Sequence, residues 1–336
     1  MSENHIVSHH NKPGLRGISG QAIQKLLAFA TLIILIIFFS LMSPNFLIAD
    51  NIGSILLATC VNGLLALGVT FVIMTGGIDL SIGTVMTFSA VVAGVCVTNL
   101  SAPLWLGVII ALMTGTIIGI LTGLMVAKLR IPAFIATLGI MMMTKGLSLV
   151  ISGASPVYFP NGYKEIAVGS LTQKLIPGFT LQNGVIIFFI MAIIAAVILN
   201  RTVLGRYTVA IGSNTEATRL SGVNVVGWLT AIHALCGLFC GIAGVVISSR
   251  LGSAQPALGQ GYELEAIAAV VIGGTSLSGG QGTISGTVIG AFIMSILTNG
   301  LRILGVKQEW QTVVVGAVVI LAVFIDIARR NNKGTR

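Results

Sequence analysis

Charge is scarce in this chain: 8% of its 336 residues are Asp, Glu, Lys or Arg, against roughly 25% in soluble domains. So few polar groups cannot cover a water-facing surface. Disorder is excluded as well, because the hydrophobic share is 55% and the mean hydropathy +1.02. Acidic residues number only nine. The net charge of +9 therefore reads as basic loops on one side of a membrane, not as a nucleic-acid surface. Aromatics are few, at 6%, whereas glycine is abundant at 42 residues, as suits helices packed closely in lipid. The four cysteines (Cys60, Cys96, Cys236, Cys240) lie inside apolar runs and form no CxxC pair, so free thiols are expected.

Signatures of chemistry are missing too. There is no GxxxxGK[ST] phosphate loop and no HExxH motif. The run Gly279-Gly-Gln-Gly-Thr-Ile-Ser-Gly286 has GxGxxxG spacing from Gly280, one residue too long for a dinucleotide fingerprint, and it opens an apolar helix. His233, Cys236 and Cys240 share a helix face, but helix packing explains that face better than a metal. No nucleophile–base pair supports a membrane-embedded enzyme.

What is present is a series of long apolar runs. They fall at 26–42, 52–75, 81–98, 103–127, 132–151, 184–200, 226–249, 263–278, 283–305 and 310–328. About 20 apolar residues cross the hydrocarbon as a helix. The expected fold is all-α, a polytopic membrane protein of about ten transmembrane helices. The stretches at 52–75 and 263–278 run into glycine-rich polar segments, so either is open to being broken or re-entrant. The first run leaves through Ser40-Leu-Met-Ser-Pro-Asn without a small-x-small site, which favours an uncleaved helix over a signal peptide. Residues 1–25 then form an N-terminal tail, 26–328 the transmembrane domain and 329–336 a basic C-terminal tail. The polar region 152–183 is placed outside and 201–225 inside.

Charge fixes that orientation. With the N-terminus inside, the inner segments hold Lys12, Arg16, Lys25, Lys128, Arg130, Arg201, Arg206, Arg219, Arg329, Arg330, Lys333 and Arg336. The outer ones hold Lys164, Lys174, Arg250, Arg302 and Lys307, and Lys145 falls within a helix. Twelve against five favours both termini in the cytoplasm.

Two GxxxGxxxG ladders, Gly115/Gly119/Gly123 and Gly282/Gly286/Gly290, leave bare helix faces for close neighbours, with internal packing favoured over a dimer face. A skeleton GGxxLSxG occurs twice, at Gly76–Gly83 and Gly273–Gly280. Two readings stand side by side: paired elements lining a path, as internal repeats in transporters do, or two similar packing turns. A charge at the centre of the bilayer costs about 2.5–3.5 kcal/mol on insertion scales. Polar residues within spans (Asn62, Asp79, Glu263, Glu265, Asn299) are therefore candidates for the translocation path. The segment 201–225 is a polar interruption in which Thr215 is positioned to cap a short helix through Arg219 and Leu220, ended by Gly222. So small a helix has no core of its own, and docking on a partner would explain it.

This loop resembles the cytoplasmic coupling loop of bacterial ABC-importer permeases of the ribose/arabinose/xylose/galactoside branch, with the pattern GR…A(I/L)GxNxxA(A/T)RLSGxxV. Gly205, Arg206, Ala210, Ile211, Gly212, Asn214, Ala217, Arg219, Leu220, Ser221, Gly222 and Val225 carry it. Gly76-Gly-Ile-Asp-Leu-Ser81, Ser253-Ala-Gln-Pro256, Gly261-Tyr-Glu-Leu-Glu-Ala-Ile-Ala-Ala269 and Gly273-Gly-Thr-Ser-Leu277 are similar to that branch, closest to its ribose-type members. Glu265 departs, standing where an Asp is expected, with its acidity kept; the N-terminal tail matches nothing. The resemblance implies a pore subunit with no catalytic group and no cofactor, working as a permease homodimer in the bacterial inner membrane. It implies a tandem ATP-binding subunit at the coupling loop (Thr215, Glu216, Ala217, Arg219, Leu220, Ser221, Gly222), a periplasmic sugar-binding protein at 152–183 and 250–262, and a ribose-type monosaccharide as substrate. The competing expectation is an ion-coupled secondary transporter using Asp79, Glu263 or Glu265 as its ion site.

Overall fold

The computed structural model describes residues 20–175 and 180–334. Most of the expected tail 1–25, with Lys12 and Arg16, lies outside the described residues, as does Arg336. Thirteen helices and one two-residue strand pair make up the described chain: α1 (Gly20–Met42), α2 (Ala49–Met74), α3 (Ile82–Asn99), α4 (Leu104–Ala127), α5 (Ala133–Ser152), β1 (Val157–Tyr158), α6 (Leu171–Leu175), α7 (Asn183–Arg201), α8 (Val203–Ser213), α9 (Thr215–Leu220), α10 (Val225–Leu251), β2 (Ser253–Ala254), α11 (Tyr262–Ile272), α12 (Ile284–Ile303) and α13 (Gln308–Gly334). Nine of them, among the described residues, are long and apolar enough to cross a bilayer. The chain is an all-α, multi-pass membrane protein.

Two expected crossings behave differently from one another. The stretch at 52–75 is one unbroken 26-residue helix, α2, about 39 Å long at 1.5 Å per residue. The stretch at 263–278 is only the 11-residue α11, about 16 Å, half the hydrocarbon thickness. Gly273 and Gly274 stop it, and the backbone continues without helix to Ile284. Non-helical backbone survives at membrane depth only when enclosed by protein, and α11 is packed between α2, α12 and α13.

Burial gives the order of layers. The apolar window of α2 is 89% buried, whereas those of α1 and α13 are 11% buried. So α2 fills the centre of the bundle, with α3, α7, α10, α11 and α12 around it and α1 and α13 at the rim. The largest helix–helix seam joins α4 to α10. Its cause is the first glycine ladder: a Cβ on Gly115 would lie 2.2 Å from the Gly237 carbonyl oxygen, and one on Gly119 would lie 2.3 Å from that of His233. The second ladder is also internal, with Gly286 and Gly290 against Gly273 and Ala269. On the rim, α1 lies along α12, with the Phe39 ring seated on Gly300.

The 27-residue α10 starts beside α9 and ends at β2, spanning about 40 Å. β2 pairs antiparallel with β1, Val157 opposite Ala254. The 152–183 region and the segment after α10 are thereby joined at the end of the bundle opposite α8 and α9. Tyr163 anchors this end: its ring stacks on Phe159, and its hydroxyl lies 3.0 Å from Ser248 Oγ. Burial pushes its phenol pKa up to about 12.

Candidate coupling loop and translocation path

The interruption at 201–225 is two short helices in tandem. Thr202 caps α8 through Gly205 N–H, and Asn214 ends α8 while capping α9, its Oδ1 accepting from Ala217 N–H at 2.9 Å. The cap is thus Asn214, one residue before the expected Thr215, whose hydroxyl instead donates to the Ile211 carbonyl. Gly222 reverses the chain at φ +84°, a left-handed conformation that side chains resist. α9 buries Thr218 and presents Glu216, Arg219 and Leu220 outward. Arg219 and Glu216 are 3.4 Å apart but well exposed, so the pair adds little stability. Leu220 is 87% exposed at the tip: a large apolar side chain held in water by a helix of six residues.

The loop is tied to the bundle through glycine. A Cβ on Gly212, in the last turn of α8, would lie 1.8 Å from the Met74 carbonyl oxygen and 2.6 Å from Gly280 N. Gly280 N–H donates to that same Met74 oxygen at 2.9 Å, and Gly279 lies against Gly76 and Gly212. The two GGxxLSxG segments therefore meet each other, and the loop meets the second of them together with the end of α2, at one contact of bare backbones. The closest approaches of Gly212 are all to main-chain atoms, which cannot swing aside as a side chain would.

The five expected path residues do not form one cluster. Asn62, midway along α2, donates through Nδ2 to Glu265 Oε2 on α11. Asn299 on α12 donates to Asn51 Oδ1 at the start of α2, 2.9 Å away. With the Thr70–Thr287 hydroxyl pair at 2.8 Å, these contacts tie α2 to α11 and α12 at three levels. Asp79 and Glu263 do something else. Asp79 Oδ1 accepts from the Ser81 backbone N–H and hydroxyl, 2.8 and 2.6 Å away, just ahead of α3. Glu263 accepts from Gly261 N–H at the start of α11. Each carboxylate satisfies donors at a helix N-terminus, where negative charge is favourable. The two N-termini face one another, for a Cβ on Gly83 would lie 2.1 Å from the Gly259 carbonyl and 2.8 Å from Glu263 Oε2.

Several partners were missed in the sequence. Asn51 and Thr287 carried no sign of their pairing, because their partners lie more than 200 residues away. Lys145 did carry a sign, a charge inside an apolar helix. Its Nζ donates to Gln260 Oε1 at 3.1 Å, on the segment leading into α11.

The family described as "Branched-chain amino acid transport system / permease component" matches residues 51–323. The ribose import permease protein RbsC of Escherichia coli (strain K12) is 43% identical over 295 residues, covering 88% of this chain and 91% of that protein. RbsC of Bacillus subtilis (strain 168) is 42% identical over 307 residues, covering 90% and 92%. The xylose transport system permease protein XylH of Escherichia coli (strain K12) is 33% identical over 373 aligned positions, covering 94% and 95%. No solved structure matches the chain.

Proposed function

The chain belongs to the permease-component family described for branched-chain amino acid transport systems, in its ribose-type branch, and from that premise we propose that it forms the membrane path of an ATP-driven monosaccharide importer. Two copies in the bacterial inner membrane, both termini cytoplasmic, enclose the path. A tandem ATP-binding subunit docks on α8–α9 from the cytoplasm. A periplasmic sugar-binding protein delivers a ribose-type sugar to the opposite end, at 152–183 and 250–262.

The observation carrying this reading is the glycine contact of Gly212 with Met74 and Gly280. A partner can bias an inward/outward equilibrium only through contacts that differ between the two states. Leu220, exposed at the tip of α9, is the apolar anchor such a partner would bury, with Arg219 and Glu216 beside it. A push on α9 passes through Asn214 to α8, and α8 has no slack against the ends of α2 and of the 273–280 segment. Those segments lead directly into α3 and α12. The loop therefore moves two pairs of helices together while the polar ties along α2 keep α11 and α12 in register.

The carboxylates favour this reading over ion coupling. Asp79 and Glu263 are occupied in holding helix N-termini, and Glu265 is held by Asn62. The test is uptake of ribose into proteoliposomes carrying the permease, its ATPase and the binding protein. Uptake that needs ATP, stops with vanadate and ignores a protonophore is the expected result. Accumulation by the permease alone, collapsed by a protonophore, overturns the proposal in favour of ion coupling.

A further inference from the structure

Lys145 is the one charged residue of α5. It stands thirteenth of 20, roughly 18 Å along the helix from Ala133 and 10 Å from Ser152. The inner face of α5 is accounted for: Ala136, Thr137, Ile140, Thr144 and Ser148 are buried, and Thr144 bonds to Thr84 on α3 at 2.8 Å. Lys145 is on the flank between that face and an outer stripe. The outer stripe includes Gly139, Met142, Met143 and Gly146, and Gly139 and Gly146 have nothing within 4 Å of where a Cβ would stand. Gln260, its partner, is itself exposed.

An ammonium at this depth is costly against lipid and cheap against water. A lysine reaching for headgroups would extend past its own helix end, yet this one is turned to a carboxamide on the segment that descends from β2 into α11. The centre of the bundle offers no alternative wet surface, since α2 fills it. We propose that this flank of α5 is wetted and forms one wall of the translocation path, with the Lys145 ammonium and the Gln260 carboxamide as a hydrogen-bonding step for a neutral, polyhydroxylated solute. The ammonium donates three N–H bonds and the carboxamide both donates and accepts, the repertoire hydroxyl groups need. A single cation, without a second on its helix, suits hydroxyls better than an anion. The proposal rests on the importer reading for the solute's class, but not for the wetness of the face.

The experiment separates those two. Met141→Cys, one turn before Lys145 on the same flank, is introduced with the native cysteines kept, and the complex in proteoliposomes is treated with a charged, membrane-impermeant thiosulfonate or a lipid-soluble maleimide. Ile193→Cys on α7, exposed among apolar side chains, is the lipid control and the unsubstituted chain the background. Met141→Cys is expected to react with the charged reagent well above both, and more slowly with ribose present. Reaction with the maleimide alone would place the face in lipid; reaction with neither would bury it against protein. Either result overturns the proposal. Lys145→Met is expected to raise KM for ATP-driven uptake by about tenfold or more, the loss of a charge-assisted hydrogen bond, with kcat little changed and Lys145→Arg restoring most of it. An unchanged KM at normal abundance removes Lys145 and Gln260 from the path. A wild-type complex without ATP-driven uptake sinks the importer reading instead, and the labelling result still decides whether the face is wet.

Discussion

Replacing Gly212 by alanine should damage both stability and coupling, and the size of the effect can be worked from the contact it breaks. The new methyl would stand 1.8 Å from the Met74 carbonyl oxygen, 2.6 Å from Gly280 N and 2.9 Å from the Met74 carbonyl carbon. All three are backbone atoms, so α8 must retreat by more than an ångström or the Gly280–Met74 hydrogen bond must open. Overpacking costs about 1–3 kcal/mol and a buried unsatisfied backbone pair about 1–3 kcal/mol more. The expected loss is therefore roughly 2–6 kcal/mol by these terms, felt first at the join between loop and bundle. The assay pairs thermal unfolding of the detergent-solubilised permease with ATP-driven uptake at matched abundance. Gly316→Ala on α13 is the control, because nothing lies within 4 Å of that position and alanine favours the helix by about 0.5–1 kcal/mol. Gly212→Ala should melt earlier and, where it inserts, hydrolyse ATP with its partner while moving little sugar. Normal melting together with normal uptake would refute the tight backbone contact and the transmission argued from it.

Other perturbations address separate links. Leu220→Asp should leave insertion and melting unchanged, since the side chain is 87% exposed, while weakening co-purification with the ATPase; undiminished co-purification would show that the tip is not the anchor. Arg219→Glu should likewise insert normally but lose uptake, measured at equal expression, and uptake at the wild-type rate would remove it from the docking surface. Asn214→Ala removes the cap of α9, worth about 1 kcal/mol, and should lower the ratio of sugar moved to ATP hydrolysed. Tyr163 has its phenol pKa raised, to about 12, so the stability it contributes is complete below about pH 10 and fades between pH 10 and 12. Tyr163→Phe should flatten that alkaline decline in a thermal-melt series and cost about 0.5–1.5 kcal/mol at neutral pH for the lost bond to Ser248.

Much of the fold was legible because one physical quantity, apolar length, decides which segments cross. Nine of the expected runs are helices long and apolar enough to span, and both glycine ladders are internal seams. The exception, 263–278, misleads because hydropathy does not see that Gly273 and Gly274 stop the helix after Ile272. The short helix within 201–225 was legible in its own residues, with an error of one position at its cap, since Asn and Thr in succession are both good caps. Of the path candidates, Asn62, Asp79, Glu263 and Asn299 are buried and Glu265 is half-buried, but their pairing was out of reach. Asn62 and Glu265 meet across 203 residues, and no local spacing encodes such a meeting. Asp79 illustrates the opposite case: its bonds to Ser81 are two residues away, so its capping role is written in the Asp-Leu-Ser sequence itself.

The seat of Phe39 on Gly300 joins α1 to a helix, α12, that is made much later. About 260 residues of synthesis separate the two, roughly 13–50 s at 5–20 residues per second. Throughout that interval the Phe39 ring has Phe46 and Ile55 to pack against but not its seat on Gly300. Biogenesis must therefore tolerate a half-packed α1 until α12 arrives, and the seam between them closes only within the bilayer, after both have been inserted.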